Sequence, residues 1–172
     1  MCIYSAAHIQ HLKRSGRKSV SIWGCFSAEG AGALYRHERT NTTNQYRTVV
    51  NYVLMPFTEF RFENRPVKFV HDNSPIHKAN IVRAWLNEHP QLNVLPWPAK
   101  GADMNPIENV WGEMVHQLHG QIVPNEDALW DEISRIWDNF GQNNNLYWTN
   151  LAFSMPKRQQ MVLETQGGWT KY

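Results

Sequence analysis

Aspartate is absent from the first 71 residues of this 172-residue chain, where the only acids are Glu29, Glu38, Glu59 and Glu63. Chemistry that needs a carboxylate from this stretch has only those four to draw on. Cysteine is nearly as scarce. Cys2 and Cys25 are too few for a disulfide framework and sit in no zinc-like spacing, which favours a reducing, intracellular setting. No apolar run approaches the roughly 18 residues a membrane helix needs. The start, Met-Cys-Ile-Tyr-Ser-Ala-Ala-His, lacks the basic and apolar regions of a signal peptide, so no membrane partner is expected. Repeats and low-complexity tracts are missing too. What is present is 42% hydrophobic residues and eight tryptophans, which exclude a disordered chain and suit one domain with a real core.

The net charge of +2 hides an asymmetry. Residues 1–71 hold ten Lys/Arg against four Glu; residues 72–172 hold seven against eleven Asp/Glu. A basic half joined to an acidic half fits a polyanion surface beside a metal-binding surface, and it equally fits uneven solvated charge. The basic run at 11–18, with Lys13, Arg14, Arg17 and Lys18, is a weak candidate for phosphate contacts, with a solvated arm as the equal alternative.

Periodicity predicts an irregular segment over 1–18, strands over 19–26 and 31–37 joined as a hairpin by Ala28-Glu29-Gly30, and a helix over about 43–60 in which Pro56 bends or tightens a turn. A buried strand over 67–71 follows. Ser74-Pro75 then reads as cap and first residue of a helix with Ala79, Val82, Trp85 and Leu86 inward. A short strand over 92–95 leads into a loop reaching Met104. Asn105-Pro106 opens a helix whose apolar stripe is Ile107, Val110, Trp111, Met114, Val115 and Leu118, with Glu108 at its edge. Pro124-Asn125 opens another, and Ser154-Met155-Pro156 a last one stopping near Gly167-Gly168. A hairpin followed by strand–helix–strand units is an α/β arrangement, and ligands sit at the ends of such strands. Asp72 is at one of them.

Asp72 and Glu108 are separated by 35 residues, one at a strand end and one on a helix, a pattern that can share a divalent metal. Each has a plainer reading. Asp72 is also a natural turn residue after a strand. Glu108, with Asn105 as N-cap and Pro106 as the first helical residue, occupies the capping-box position. His71 and His77 bracket Asp72 in no trustworthy zinc spacing, and a helix-start contact for His77 is the better expectation. Trp97, between two prolines, is expected to pack under its loop rather than stack on a base. Trp85, Trp111, Trp130 and Trp137 are expected in the core.

The segments Val-His-Asp-Asn-Ser-Pro-Ile-His (70–77) and Leu-Pro-Trp-Pro-Ala-Lys-Gly-Ala-Asp-Met-Asn-Pro-Ile-Glu-Asn-Val-Trp-Gly (95–112) resemble the second and third acidic motifs of mariner-type DDE transposases, whose catalytic domain is RNase H-like. Ser19–Ser27 resembles that family's second strand and Ser154–Arg158 its C-terminal helix. The resemblance runs from about residue 15 to the C-terminus. It implies Mg²⁺-dependent (or Mn²⁺-dependent) DNA cleavage and strand transfer at a two-metal site. Asp72 and Glu108 become the second and third metal-binding, catalytic acids, and Asn73, Asp103, Asn105 and Pro106 support them. The family usually has Ser-Pro before the loop aspartate; Gly101-Ala102 stands here, a departure expected to loosen that loop. DNA is the implied partner, with a homodimer among the assemblies allowed, and the nucleus the implied location.

The family's first acid sits on a first strand lying in the middle of the sheet, between the second and fourth. The chain is expected to begin too late to include it. The expected fold is therefore α/β and RNase H-like, a mixed sheet flanked by helices, lacking the first, central strand. Residues 2–8, which hold no acid, are a candidate to fill the gap. Residues 1–18 form a basic N-terminal segment and 19–172 a truncated catalytic domain, inactive alone for want of one metal ligand. The alternative reading is a non-catalytic nucleic-acid-binding or interaction module. A third is a reading frame without its first exon.

Overall fold

Ile22 and Trp23 are adjacent in sequence and fully buried in different cores. That divergence defines the architecture, because neighbouring strand residues point to opposite faces. The computed structural model describes residues 2–11 as backbone, and 18–37, 42–63, 65–98, 101, 104–140, 142 and 146–165. A five-stranded sheet comprises β1 (Cys2–His11), β2 (Lys18–Ser27), β3 (Gly30–His37), β4 (Val67–Val70) and β5 (Leu92–Val94), in the order β3-β2-β1-β4-β5. β1 and β3 run antiparallel to β2, while β4 runs parallel to β1 and β5 to β4.

The middle of the sheet is thus occupied, which corrects both the expected irregular N-terminus and the expected gap. All ten residues of β1 pair with β2, from Cys2 opposite Ser27 to His11 opposite Lys18. Ser5-Ala6-Ala7 carries little strand propensity of its own. What orders it is position: without β1, β2 and β4 would each present unpaired backbone groups beside the core.

One face of the sheet is covered by α1 (Thr43–Val49), a π-helical segment (Val50–Leu54), α2 (Met55–Phe62) and α3 (Asn80–Glu88). Tyr46, Val49, Val50, Leu54, Val82 and Trp85 pack there against Trp23, Cys25 and Phe69. α1 begins with a capping box between Thr42 and Gln45. The expected long helix is present, with the π turn just ahead of Pro56. In that turn the Met55 N–H reaches back to the Val50 carbonyl, a shift in bonding that accommodates a residue with no N–H to give. Ser74 does not cap α3: the helix starts at Asn80 after a turn, with Ala79 at its N-cap position.

The other face is covered by α4 (Ile107–Leu118), α5 (Glu126–Asn139), α6 (Tyr147–Phe153) and α7 (Met155–Glu164). Ile107, Val110, Trp111, Met114, Leu129, Ile133 and Trp137 meet Val20, Ile22, Phe26 and Val70. A Cβ on Gly24 of β2 would come within 2.7 Å of the Trp111 ring and 3.1 Å of Trp137, so the indoles reach the sheet because that residue has no side chain. Val115, expected in the stripe, is 45% exposed, and Trp130 only half-buried. α6 has no counterpart in the sequence reading. The expected stop at Gly167-Gly168 lies outside the described residues.

Candidate functional site: a carboxylate held at the end of β4

Asp72 follows β4 by two residues. Its Oδ1 accepts the Ser74 N–H at 2.9 Å, closing a tight turn. The same oxygen lies 2.6 Å from His77 Nδ1. The His77 ring nitrogen also lies 3.3 Å from the Asp72 carbonyl oxygen. His77 is 2% exposed while Asp72 remains 42% exposed. One carboxylate oxygen is therefore committed to the protein, and the side chain still reaches solvent.

The rings around this carboxylate form a stack. His77 lies against His71 with centroids 5.3 Å apart and against Tyr46 at 4.2 Å, and the Tyr46 hydroxyl sits 3.3 Å from His71 Nδ1. Burial works to raise the Asp72 pKa, but the hydrogen bonds from His77 and Ser74, with the charge of His77 and His71, outweigh it and hold the carboxyl below its ordinary value. Burial and the neighbouring His77 charge push His71 down to about 4, against a smaller opposing pull from Asp72. Burial and the Asp72 charge push the Tyr46 hydroxyl well up. At neutral pH the cluster thus holds an ionised carboxylate beside a neutral His71 and a neutral phenol.

Glu108 is exposed in the first turn of α4. Its backbone N–H bonds the Asn105 carbonyl at 3.1 Å. Asn105 does not act as the expected N-cap. Pro106 holds that position without a side-chain cap bond, and Asn105 is 1% exposed with an Oδ1 that finds no hydrogen-bond partner among the described residues. Beside Glu108, Asn109 Oδ1 accepts from the buried Arg158 guanidinium of α7 at 2.8 Å, and Arg158 Nε donates to Ser154 Oγ at 2.8 Å.

Val70, two residues before Asp72, and Ile107, next to Glu108, belong to one apolar cluster. Both acids therefore leave the same core, one from the C-terminal end of β4 and one from the N-terminal end of α4. Asn73 serves the loop between them, its amide donating to the Trp97 carbonyl. Trp97 Nε1 in turn donates to the Gly101 carbonyl at 3.1 Å. A Cβ on Gly101 would come within 2.8 Å of that ring nitrogen. Gly101 itself is thus held closely on Trp97, while Ala102, the other part of the departure, lies outside the described residues. Trp97 is partly buried against the α4–α5 core.

Asp103, Lys13, Arg14 and Arg17 lie outside the described residues. Lys18 opens β2 and is partly buried. Among the described residues no group of three or more His, Cys, Asp and Glu is placed to hold a metal ion, and no helix is long and apolar enough to cross a membrane. The roles of His77 in holding Asp72, of Tyr46 in packing on His77 and of Arg158 in anchoring α4 escaped the sequence reading. Only the His77 position, five residues after Asp72 across a proline turn, carried a local signal.

Residues 8–130 match the family model described as DDE superfamily endonuclease. The chain is 30% identical over 169 residues to the transposable element Tc1 transposase of Caenorhabditis elegans, covering 98% of this chain and 59% of that protein. It spans about three-fifths of the length of the curated relatives it matches. Its fold is similar to the Mos1 transposase catalytic domain solved with raltegravir and Mg, with a TM-score of 0.81 at 19% identity over 98% of this chain and 85% of that one. A similar likeness, TM-score 0.82 at 18% identity over 98% and 55%, joins it to the Mos1 transposase paired-end complex with left transposon end. The sheet is therefore RNase H-like, and the chain belongs to the mariner-type DDE transposase superfamily.

Proposed function

We propose that this chain carries the catalytic domain of a DDE DNA transposase in an inactive form: Asp72 and Glu108 serve as metal ligands and the third carboxylate is wanting. The observation that carries the reading is the register of the central strand. β1 meets β4 with Cys2 beside Phe69 and Ile3 beside Val70. Carried two residues further, that register sets Ser5 abreast of Asp72. No Asp or Glu occurs anywhere in β1.

The residues present fit a divalent cation in part. Mg²⁺ accepts one or two carboxylates with water and phosphate oxygens completing its shell, and a half-exposed Asp72 with one committed oxygen suits a single-oxygen ligand. A second ion, as two-metal phosphoryl transfer requires, would need a further carboxylate, and β1 holds none. Asp72 and Glu108 would hold the ion, which would supply Lewis-acid polarisation of a phosphodiester; the chain's own task is to hold Asp72 ionised, which His77 and Ser74 do. The left transposon end in the Mos1 paired-end complex makes a transposon end the substrate to test; a nuclear location is proposed only as the place where such a substrate would be met.

Incubating the protein with Mg²⁺ or Mn²⁺ and transposon-end DNA should give no nicking, and Ser5→Asp should give metal-dependent nicking that Asp72→Ala removes. Metal-dependent nicking by the unaltered chain that is abolished in Asp72→Ala would overturn the reading. A non-catalytic DNA-binding module is the second reading, favoured by the same acid-free β1. It requires DNA affinity that falls steeply with salt and is indifferent to Asp72→Ala.

A further inference from the structure

Between the C-terminal ends of β4 and β5 and the start of α3 lies a cleft of about 590 Å³ to which no role has yet been given. It abuts the carboxylate site, because His71, Asn73 and His77 form one wall. Lys78 and Arg83 form another, and Trp97 lines the cleft as well. Among the described residues no Asp or Glu lines it, so its two fixed cations face no competing carboxylate from them. Arg83 Nε donates to the Lys78 carbonyl at 2.7 Å, which holds the guanidinium close to the lysine. The polar edge of Trp97 is already engaged by Gly101 and its carbonyl by Asn73. The indole that lines the cleft is thus fixed in orientation through its ring nitrogen. The volume lies in the range of about 300–1,000 Å³ usual for small-ligand sites.

We propose that this cleft is a subsite for one unpaired nucleotide of DNA, its base against Trp97 and its phosphate on Lys78 and Arg83. The proposal rests on the reading that the chain engages DNA. An aromatic plane with adjacent cations is the chemistry of sequence-tolerant single-strand binding, and its place next to Asp72 puts the nucleotide beside the phosphodiester that carboxylate would face.

The test is fluorescence anisotropy on two labelled duplexes, one blunt and one with a single-nucleotide overhang, at several salt concentrations. The overhang should bind about tenfold tighter, in line with stacking of one base. Trp97→Ala should erase that preference and Trp97→Phe should keep most of it, with thermal melting confirming that both fold. Lys78→Gln combined with Arg83→Gln, both at exposed positions, should lower affinity and flatten the salt slope by about one unit for each phosphate no longer neutralised. Retention of the overhang preference in folded Trp97→Ala, or an unchanged salt slope in the double variant, refutes the subsite while leaving DNA binding intact. Competition by free deoxynucleoside monophosphate at micromolar concentration overturns it in favour of a free-nucleotide site. Failure of the unaltered chain to bind either duplex removes the underlying functional reading and the subsite with it.

Discussion

His37, at the end of β3, is the clearest single-residue cost among the described residues. It is 4% exposed, and neither ring nitrogen finds a partner there. A buried, unsatisfied polar group costs about 1–3 kcal/mol, and burial lowers the His37 pKa from its ordinary 6.5. The neutral ring is tolerated and the charged ring is not. As pH falls below about 6.5 the unfolded chain takes up the proton first. His37 therefore adds no proton-linked penalty above its unfolded pKa and destabilises the fold progressively as pH drops below it toward the lower, folded value. His71, held at about 4, acts in the same direction over the same window. His37→Phe should raise stability by about 1 kcal/mol at pH 7 and should lose less between pH 7 and 5 than the unaltered protein. Thermal melts across that range measure both, and parallel curves would refute the assignment.

Among the elements, α7 tethers α4 through one buried guanidinium. Arg158 is 2% exposed and bonds Asn109 beside Glu108. A buried charge of this kind is tolerable only when its donors are met. Arg158→Ala should cost about 3 kcal/mol by removing those bonds and leaving a cavity. Asn109→Ala should cost nearer ~1–2 kcal/mol, because it strips an acceptor from a buried donor. Urea unfolding of both variants checks the order, and a smaller destabilisation by Arg158→Ala than by Asn109→Ala contradicts it. A parallel link ties α3 to the π-helical segment, where Trp85 Nε1 donates to Asn51 Oδ1 at 3.0 Å. These side chains are dispersed in sequence, so no periodic pattern pairs them.

For the molecule as a whole, β1 decides whether two helical layers share one sheet or flank an interrupted one. Ala7 lies opposite Ile22 in the β1–β2 ladder. Proline there fixes φ at about −65° and sets its ring into a strand paired along its length with β2. Ala7→Pro should destabilise the domain by about 3 kcal/mol or more, a large share of the roughly 5–15 kcal/mol typical of a domain. Amides of β1 and β2 should also exchange slowly in the unaltered protein. Rapid exchange across β1, or an unchanged melt for Ala7→Pro, would remove the strand from the sheet centre.

Local sequence was sufficient for β2 through β5, for most helical faces, and for the two acids with their motifs. Each of these carries its signal within a few residues, as alternation, a 3.6-residue stripe or a proline turn. The central strand was not legible in the same way. Its alanines, serine and histidines fold as they do because β2 and β4 leave a place between them, and only the assembled sheet contains that place. The grip of His77 on Asp72 with Tyr46 packed on the His77 ring, the buried Asn105 in place of a cap, and the closeness of Gly101 to Trp97 likewise depend on which surfaces meet. Burial and hydrogen bonding across distant segments decide such arrangements, and neither leaves a periodic trace in the chain.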